Sequence, residues 1–190
     1  MAAPQAIRHS ARAAKRLVAW GVFVLLAAWI AVWSWQQPFM AKPRALWELP
    51  RLPPSTVLAP PVQGVRASRI ADTFGAPRGR DRTHAGVDIF AKRGTPVLSA
   101  TRGIVVSVRE GGLGGKQVWV FGPGGERHYY AHLDAWREGL ETGDLVAPGD
   151  LLGKVGTTGN ARGTPPHLHY GVYGKDGAHD PLPLLKAYAR

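Results

Sequence analysis

Residues Leu17 to Trp35 read LVAWGVFVLLAAWIAVWSW, 19 residues without one charged side chain. Nothing else in the chain restricts its folding as strongly. As an α-helix the run extends about 28 Å at ~1.5 Å per residue, close to the roughly 30 Å of a bilayer's hydrocarbon core. Trp20 lies near one end and Trp33 and Trp35 at the other, where indoles favour the membrane–water boundary; Trp29, deeper in the run, departs from that pattern. A soluble core helix would show a polar face, and this run shows almost none. A cleaved secretory signal has an apolar stretch of about 7–15 residues and a small-residue cleavage site, and no Ala-x-Ala triplet ends or follows this run. The expectation is an uncleaved transmembrane anchor over 17–35. Arg8, Arg12, Lys15 and Arg16 precede it and no acid lies before Glu48, so residues 1–16 form a basic cytoplasmic tail. Residues 36–190 then face outward, which makes this a single-pass protein of the inner (cytoplasmic) membrane with its bulk on the periplasmic side.

Beyond the run the texture changes twice. Residues 36–63 hold seven prolines, Pro38, Pro43, Pro50, Pro53, Pro54, Pro60 and Pro61. Proline fixes φ and lacks a backbone donor, so this linker is expected to avoid regular helix and to run in extended polyproline-like form. At ~3.1 Å per residue it reaches about 85 Å at most, either spacing the domain from the lipid or packing on it. From Gly64 onward lie 23 of the 24 glycines. Between them sit short Val-, Ile- and aromatic-rich runs such as Gly103–Arg109, Gln117–Phe121, Arg127–Leu133 and His167–Tyr173. Such runs bounded by Gly and Pro read as strands, and Gly111–Gly115 and Gly122–Gly125 read as hairpin connections. Helical periodicity is weak except in the last few residues. Residues 64–190 therefore form an all-β, mostly antiparallel domain, a compact sandwich or barrel.

Composition narrows the function classes. Apolar residues at 45% and charged residues at 19% suit a folded chain. The net charge of +11 would serve nucleic acid, acidic lipid or an anionic polymer equally. No basic stripe interleaved with aromatics and no common nucleic-acid motif is present, so no nucleic-acid partner is expected. With no cysteine, any metal site must use His and carboxylate.

Five of the seven histidines fall in three short clusters. In His84-Ala-Gly-Val-Asp88, positions four apart in an extended chain project to one side, and Gly86 between them offers no obstruction. One imidazole nitrogen and one carboxylate oxygen make a reasonable pair of zinc ligands. In Pro166-His-Leu-His-Tyr170, His167 and His169 share a face while Leu168 and Tyr170 take the other. Two adjacent histidines in a core would waste polar groups, which favours metal or acid–base work. In His128-Tyr-Tyr-Ala-His132, alternation puts His128, Tyr130 and His132 on one face. A catalytic zinc site uses three protein ligands and leaves a position open. The clusters supply three ligands with imidazoles to spare for proton transfer near neutral pH. His9 and His179 receive no role.

Taken together, these segments resemble the lysostaphin-type, LytM-like zinc metallopeptidases, which carry the duplicated hybrid motif fold. The family's His-x-Gly-x-Asp appears as His84-Ala-Gly-Val-Asp88, its Tyr-Ala-His-Leu as Tyr130-Ala-His-Leu133, and its His-x-His as His167-Leu-His169 after Gly156-Thr-Thr-Gly-Asn160. Phe74-Gly75 upstream and Asp180-Pro181 downstream extend the likeness over roughly residues 66–185. The resemblance implies that His84, Asp88 and His169 bind Zn²⁺ and that His132 and His167 are the catalytic histidines. It also implies a substrate in the peptide part of bacterial peptidoglycan, a stem peptide or cross-link. His128 departs from the family's small polar residue and is expected either to line the cleft or to be a solvated strand residue. The approach Asn160–Pro166 is longer than usual and is expected to reshape the cleft's edge. Two other readings remain open: a non-catalytic regulator of other wall hydrolases with the same fold, and a basic module that binds wall polymer without chemistry.

Overall fold

A computed structural model describes residues 4–188 apart from Gly79, with side chains placed from Lys15 onward. The chain divides into two compact units, Met1–Arg44 and Ala45–Arg190.

In the first unit helix α1 spans Pro4–Trp35. Its segment Lys15–Trp35 is long and apolar enough to cross a membrane and buries none of its length inside the protein. A core-helix role is thereby removed, while an anchor and a signal sequence both remain compatible with it. A 3₁₀ turn, Pro38–Met40, leads into helix α2, Ala41–Glu48. Here the expectation of a helix-free linker is corrected. Pro43 is the third residue of α2, and the first four N–H groups of a helix have no intrahelical partner anyway. Pro38 likewise opens the 3₁₀ turn. The prolines sit where a helix tolerates them.

The rest of the proline-rich stretch is part of the second unit's packing. After a 3₁₀ turn at Leu49–Arg51, Leu58 and Val62 are completely enclosed. The Ala59 N–H donates to Ala100 O at 2.9 Å, Leu58 N–H to Leu184 O at 3.1 Å, and Gln63 N–H to Pro96 O at 3.0 Å. Of the two expected arrangements, packing on the domain is the one observed for residues 49–63.

Nine strands follow among the described residues: β1 Val87–Phe90, β2 Pro96–Leu98, β3 Gly103–Gly111, β4 Gly115–Phe121, β5 Arg127–Trp136, β6 Leu145–Val146, β7 Leu151–Val155, β8 His167–Gly174 and β9 Gly177–His179; helix α3, Leu182–Ala187, comes after them. The strands join one sheet in the order β1-β8-β5-β4-β3-β6, with β2 on β7, β7 on β5 and β9 on β8. All these pairings are antiparallel, as the alternating runs predict. The β3–β4 and β4–β5 connections fall at the two glycine clusters, the second as a 3₁₀ turn at Pro123–Gly125. Asp180 Oδ1 accepts from Leu182 N–H at 2.9 Å and starts α3. β5 organises the whole: residues 127–131 pair with β8 and 127–133 with β4, whereas its far end, Leu133–Trp136, pairs with β7. One face of this curved sheet packs Tyr130, Leu133, Leu168, Tyr170 and Val172 into the core; the opposite face of β1, β5 and β8 lines a cleft.

Candidate metal centre

The cleft has a volume of ≈ 690 Å³, and its lining includes His84, Asp88, His132, His167 and His169. All five residues expected for the site from the sequence therefore converge. β1 lies against β8 with Asp88 opposite His169 and Phe90 opposite His167, so strand alternation carries both histidines of β8 to the cleft while Leu168 and Tyr170 go to the core. His84 lies before β1 in irregular chain and reaches the same point. Gly86 makes that approach possible: a Cβ there would stand 2.4 Å from Tyr170 O and 3.0 Å from the His169 ring. The sequence reading gave Gly86 the role of leaving space beside the ligands; the space is needed against the backbone of β8.

Among the described residues, His84, Asp88 and His169 form the one group of three or more metal-binding side chains whose ligand atoms lie within 4.8 Å of one another. His84 Nε2 is 2.8 Å from His169 Nδ1, and Asp88 Oδ1 is 3.1 Å from the first and 3.2 Å from the second. An ion with bonds of about 2.0–2.1 Å in a tetrahedral arrangement needs donors about 3.3 Å apart, so this triangle is close to one face of such a tetrahedron. The tautomer of His84 agrees. His84 Nδ1 lies 2.7 Å from Thr73 O; beside a carbonyl oxygen that nitrogen carries the proton, which leaves the Nε2 lone pair for a metal. Thr73 also accepts the Asp88 N–H at its hydroxyl, 3.0 Å away. Burial by itself would raise the Asp88 carboxyl, but its contacts with His169 and His84 hold it well below the usual carboxylate range. Burial also lowers the His169 imidazole, against the pull of the Asp88 hydrogen bond. Two neutral imidazoles and an ionised carboxylate are the protonation states that a zinc site requires.

His132 and His167 stand beside this triangle, their rings 5.1 Å apart. His132 Nδ1 donates to Thr158 O at 2.9 Å and His167 Nδ1 to Pro165 O at 2.8 Å. Each therefore turns an Nε2 lone pair toward the cleft, and His167 Nε2 is 3.9 Å from Asp88 Oδ1. Burial lowers the His132 imidazole to about 4, which keeps it neutral, and so able to take up a proton, at neutral pH.

His132 gets there by an unusual route. It has φ 64° and is the one non-glycine residue with positive φ among those described, a conformation that costs about 1–3 kcal/mol and persists only where the surroundings enforce it. The His132 N–H donates to Gly114 O at 2.8 Å. Thr158 Oγ1 donates to Leu133 O and accepts from Lys116 N–H, both at 2.9 Å. The β3–β4 turn must press against the loop carrying Thr158, and Gly115 allows it: φ is +62° and a Cβ would lie 2.3 Å from Gly159 N.

This twist corrects the expectation for β5. Simple alternation put His128, Tyr130 and His132 on one face; the reversed φ and the β4–β5 register shift between Lys116 and Val118, opposite Leu133 and Tyr130, break the parity. His132 joins Tyr129 and Ala131 on the cleft. His128 neither lines the cleft nor meets solvent: it is completely buried on the opposite face, with Nδ1 2.8 Å from the Tyr170 hydroxyl. The longer approach before His167 does form part of the cleft's edge, through Asn160, Ala161, Thr164 and Pro165. The sequence reading missed Arg78. Its guanidinium pairs with Asp88 Oδ2 and lies 3.1 Å from His84 Nδ1; an arginine ten residues upstream in irregular chain carries no periodic signal.

The chain is similar to known proteins. Residues 82–181 match the model for peptidase family M23. The chain is 39% identical over 129 residues to an L-Ala–D-Glu endopeptidase of Bacillus subtilis (strain 168), covering 62% of this chain and 40% of that protein. It is 34% identical over 110 residues to lysostaphin of Staphylococcus simulans, covering 55% and 22%. The chain thus spans two fifths or less of these relatives' lengths. Among solved structures, the catalytic domain of S. simulans lysostaphin superposes with a TM-score of 0.56 at 32% identity, over 63% of this chain and 95% of that one. A zinc-containing peptidase from Vibrio cholerae gives 0.55 at 27% identity, over 67% and 39%.

Proposed function

This chain belongs to peptidase family M23, a family of zinc metallopeptidases, and on that premise we propose that it is an endopeptidase cutting stem peptides or peptide cross-links of bacterial peptidoglycan. The observation that carries the proposal is the donor triangle of His84, Asp88 and His169, of a size for one ion and open to a cleft on its remaining side. A non-catalytic regulator or a polymer-binding module has no need of such a triangle with two further imidazoles poised beside it. A relative named a peptidoglycan DD-endopeptidase points the same way.

In this reading His84, Asp88 and His169 hold zinc, which when bound supplies a Lewis acid for the peptide carbonyl and an acidified water. The protein's own part is positional. Thr73 O fixes the tautomer of His84. Thr158 O and Pro165 O aim the Nε2 atoms of His132 and His167 at the reacting bond. As the neutral base, one Nε2 takes the proton released on attack; the imidazolium so formed donates to the developing oxyanion and gives that same proton to the leaving amine, while the second imidazole stands beside the same bond. Phe90, half-exposed with its ring 5.3 Å from that of His167, and Tyr129, whose ring is 5.7 Å from that of His169, wall the cleft against water. Helix α1 serves as a single-pass anchor with residues 36–190 outside the cytoplasmic membrane.

The test is mass spectrometry of fragments released from isolated peptidoglycan by the full chain with zinc. New peptide termini at one defined bond, absent with chelator and with His169→Ala, are expected. Intact stem peptides and cross-links after incubation with zinc-loaded protein refute the proposal.

A further inference from the structure

The two oxygens of Asp88 face different partners. Oδ1 belongs to the donor triangle, 3.1 Å from His84 Nε2 and 3.2 Å from His169 Nδ1. Oδ2 is held by Arg78 Nη2. Asp88 is only 7% exposed, so a freed Oδ2 would find no water shell to hold it apart from the ion. Arg78 itself is well based. It stems from a short turn closed by the pairing of Pro77 with Thr83 and by Arg78 N–H donating to Arg82 O at 2.8 Å. That turn is stapled to the ligand segment through His84 N–H to Ala76 O and Gly75 N–H to His84 O, both 2.8 Å. The same Nη2 lies 3.1 Å from His84 Nδ1, whose proton is already given to Thr73 O. The guanidinium therefore braces Asp88 from the side away from the triangle.

We propose that Arg78 is a positioning residue for the metal centre: it occupies the outer oxygen of Asp88 so that the carboxylate presents Oδ1 alone and leaves the remaining coordination positions to water and substrate. The inference rests on the reading that His84, Asp88 and His169 hold the ion. A carboxylate free to bind through both oxygens raises the coordination number and consumes the position that catalysis needs. Groups that orient metal ligands in this way are worth about 10–100-fold in metal affinity. A planar guanidinium suits the task better than an ammonium because its direction is fixed. The Arg78 side chain is 43% exposed, so its replacement leaves no buried hole.

The experiment compares full-length wild type, Arg78→Gln, Arg78→Lys and Asp88→Ala, purified in detergent, by zinc competition against a chromophoric chelator and by the visible absorption of the Co²⁺-substituted protein. For Arg78→Gln the expected result is zinc binding weaker by roughly 10–100-fold and weaker Co²⁺ bands, the sign of added ligands. Arg78→Lys is expected to recover part of both. Wild-type affinity with an unchanged Co²⁺ spectrum in Arg78→Gln overturns the inference, and so does tighter binding, which would make the guanidinium a competitor of the ion. If Arg78→Gln does not fold, the Lys variant decides on the same two readouts, wild-type values in both overturning the inference. A wild-type chain that binds no zinc, or an Asp88→Ala protein that binds it normally, refutes the donor assignment itself and this inference with it.

Discussion

β5 and β8 carry histidines on both faces, and the two faces treat the same side chain in opposite ways. On the cleft face His132, His167 and His169 join His84 and Asp88. The Nδ1 atoms of His84, His132 and His167 are satisfied by backbone carbonyls, so their Nε2 atoms stay available. On the core face His128 is sealed completely. Its Nδ1 meets the Tyr170 hydroxyl, and its Nε2 has no hydrogen-bond partner among the described residues and stands 3.9 Å from Glu126 Oε2. His179 takes the other oxygen of that carboxylate, 3.1 Å away. Both clusters contain imidazoles and an acid. Only the first brings three donor atoms to one point and opens onto a cleft; the second fills space and anchors Tyr170. Residue type made both clusters candidates, and the face they occupy separates chemistry from packing.

The largest effect that would break this contrast lies at the triangle. His169→Ala is expected to lose stoichiometric zinc and with it all wall-digesting activity, measured by metal analysis beside peptidoglycan digestion. His132→Ala should keep zinc and lose about 10²–10⁴ in rate, the usual scale for removing an acid–base group. Full activity in His132→Ala would take that residue out of the mechanism. The control from the other face is His128→Ala. It should keep zinc and rate per folded molecule yet destabilise the domain by about 2–4 kcal/mol, through the cavity it leaves and the partner that Tyr170 loses. A catalytic loss there at unchanged stability would dissolve the distinction between the faces.

The contrast also shows what a sequence can carry. Spacing brought His84 toward Asp88, although His84 lies in irregular chain, and put His167 with His169 because alternation on a strand is a local rule; Asp88 and Phe90 on the cleft against Val87 and Ile89 in the core obey it. The three-stretch encounter became legible through the resemblance, since no local rule says that β1 lies on β8. Alternation failed at His132 because that residue adopts a positive φ that the turn at Gly114–Gly115 and the loop at Thr158 enforce. Arg78 was hidden for a related reason: its contact to Asp88 depends on a turn outside any regular element. In the proline-rich stretch, counting prolines without asking where in a helix each one sits concealed α2.

The smallest effect sharpens the comparison without touching the cleft. Burial first, and the nearby His179 second, push the His128 imidazole from 6.5 down to about 3. The folded state thus keeps this ring neutral where the unfolded chain would protonate it. Between about pH 6.5 and 3 the unfolded state binds the additional proton, so stability falls as pH falls through that window and loses nothing further on this account below it. His128→Asn retains an amide for the Tyr170 hydroxyl and has no proton to gain. In excess chelator, so that metal release does not enter, the difference in urea midpoint between wild type and His128→Asn should favour wild type most at neutral pH and narrow steadily as the medium is acidified. Glu126 and His179 are common to both proteins, and their own titration cancels to the extent that they do not feel the ring. A difference that stays constant from pH 7 to pH 4 would mean that the ring is already charged in the folded protein, held by Glu126; the core face would then contain a buried ion pair rather than a neutral packing group.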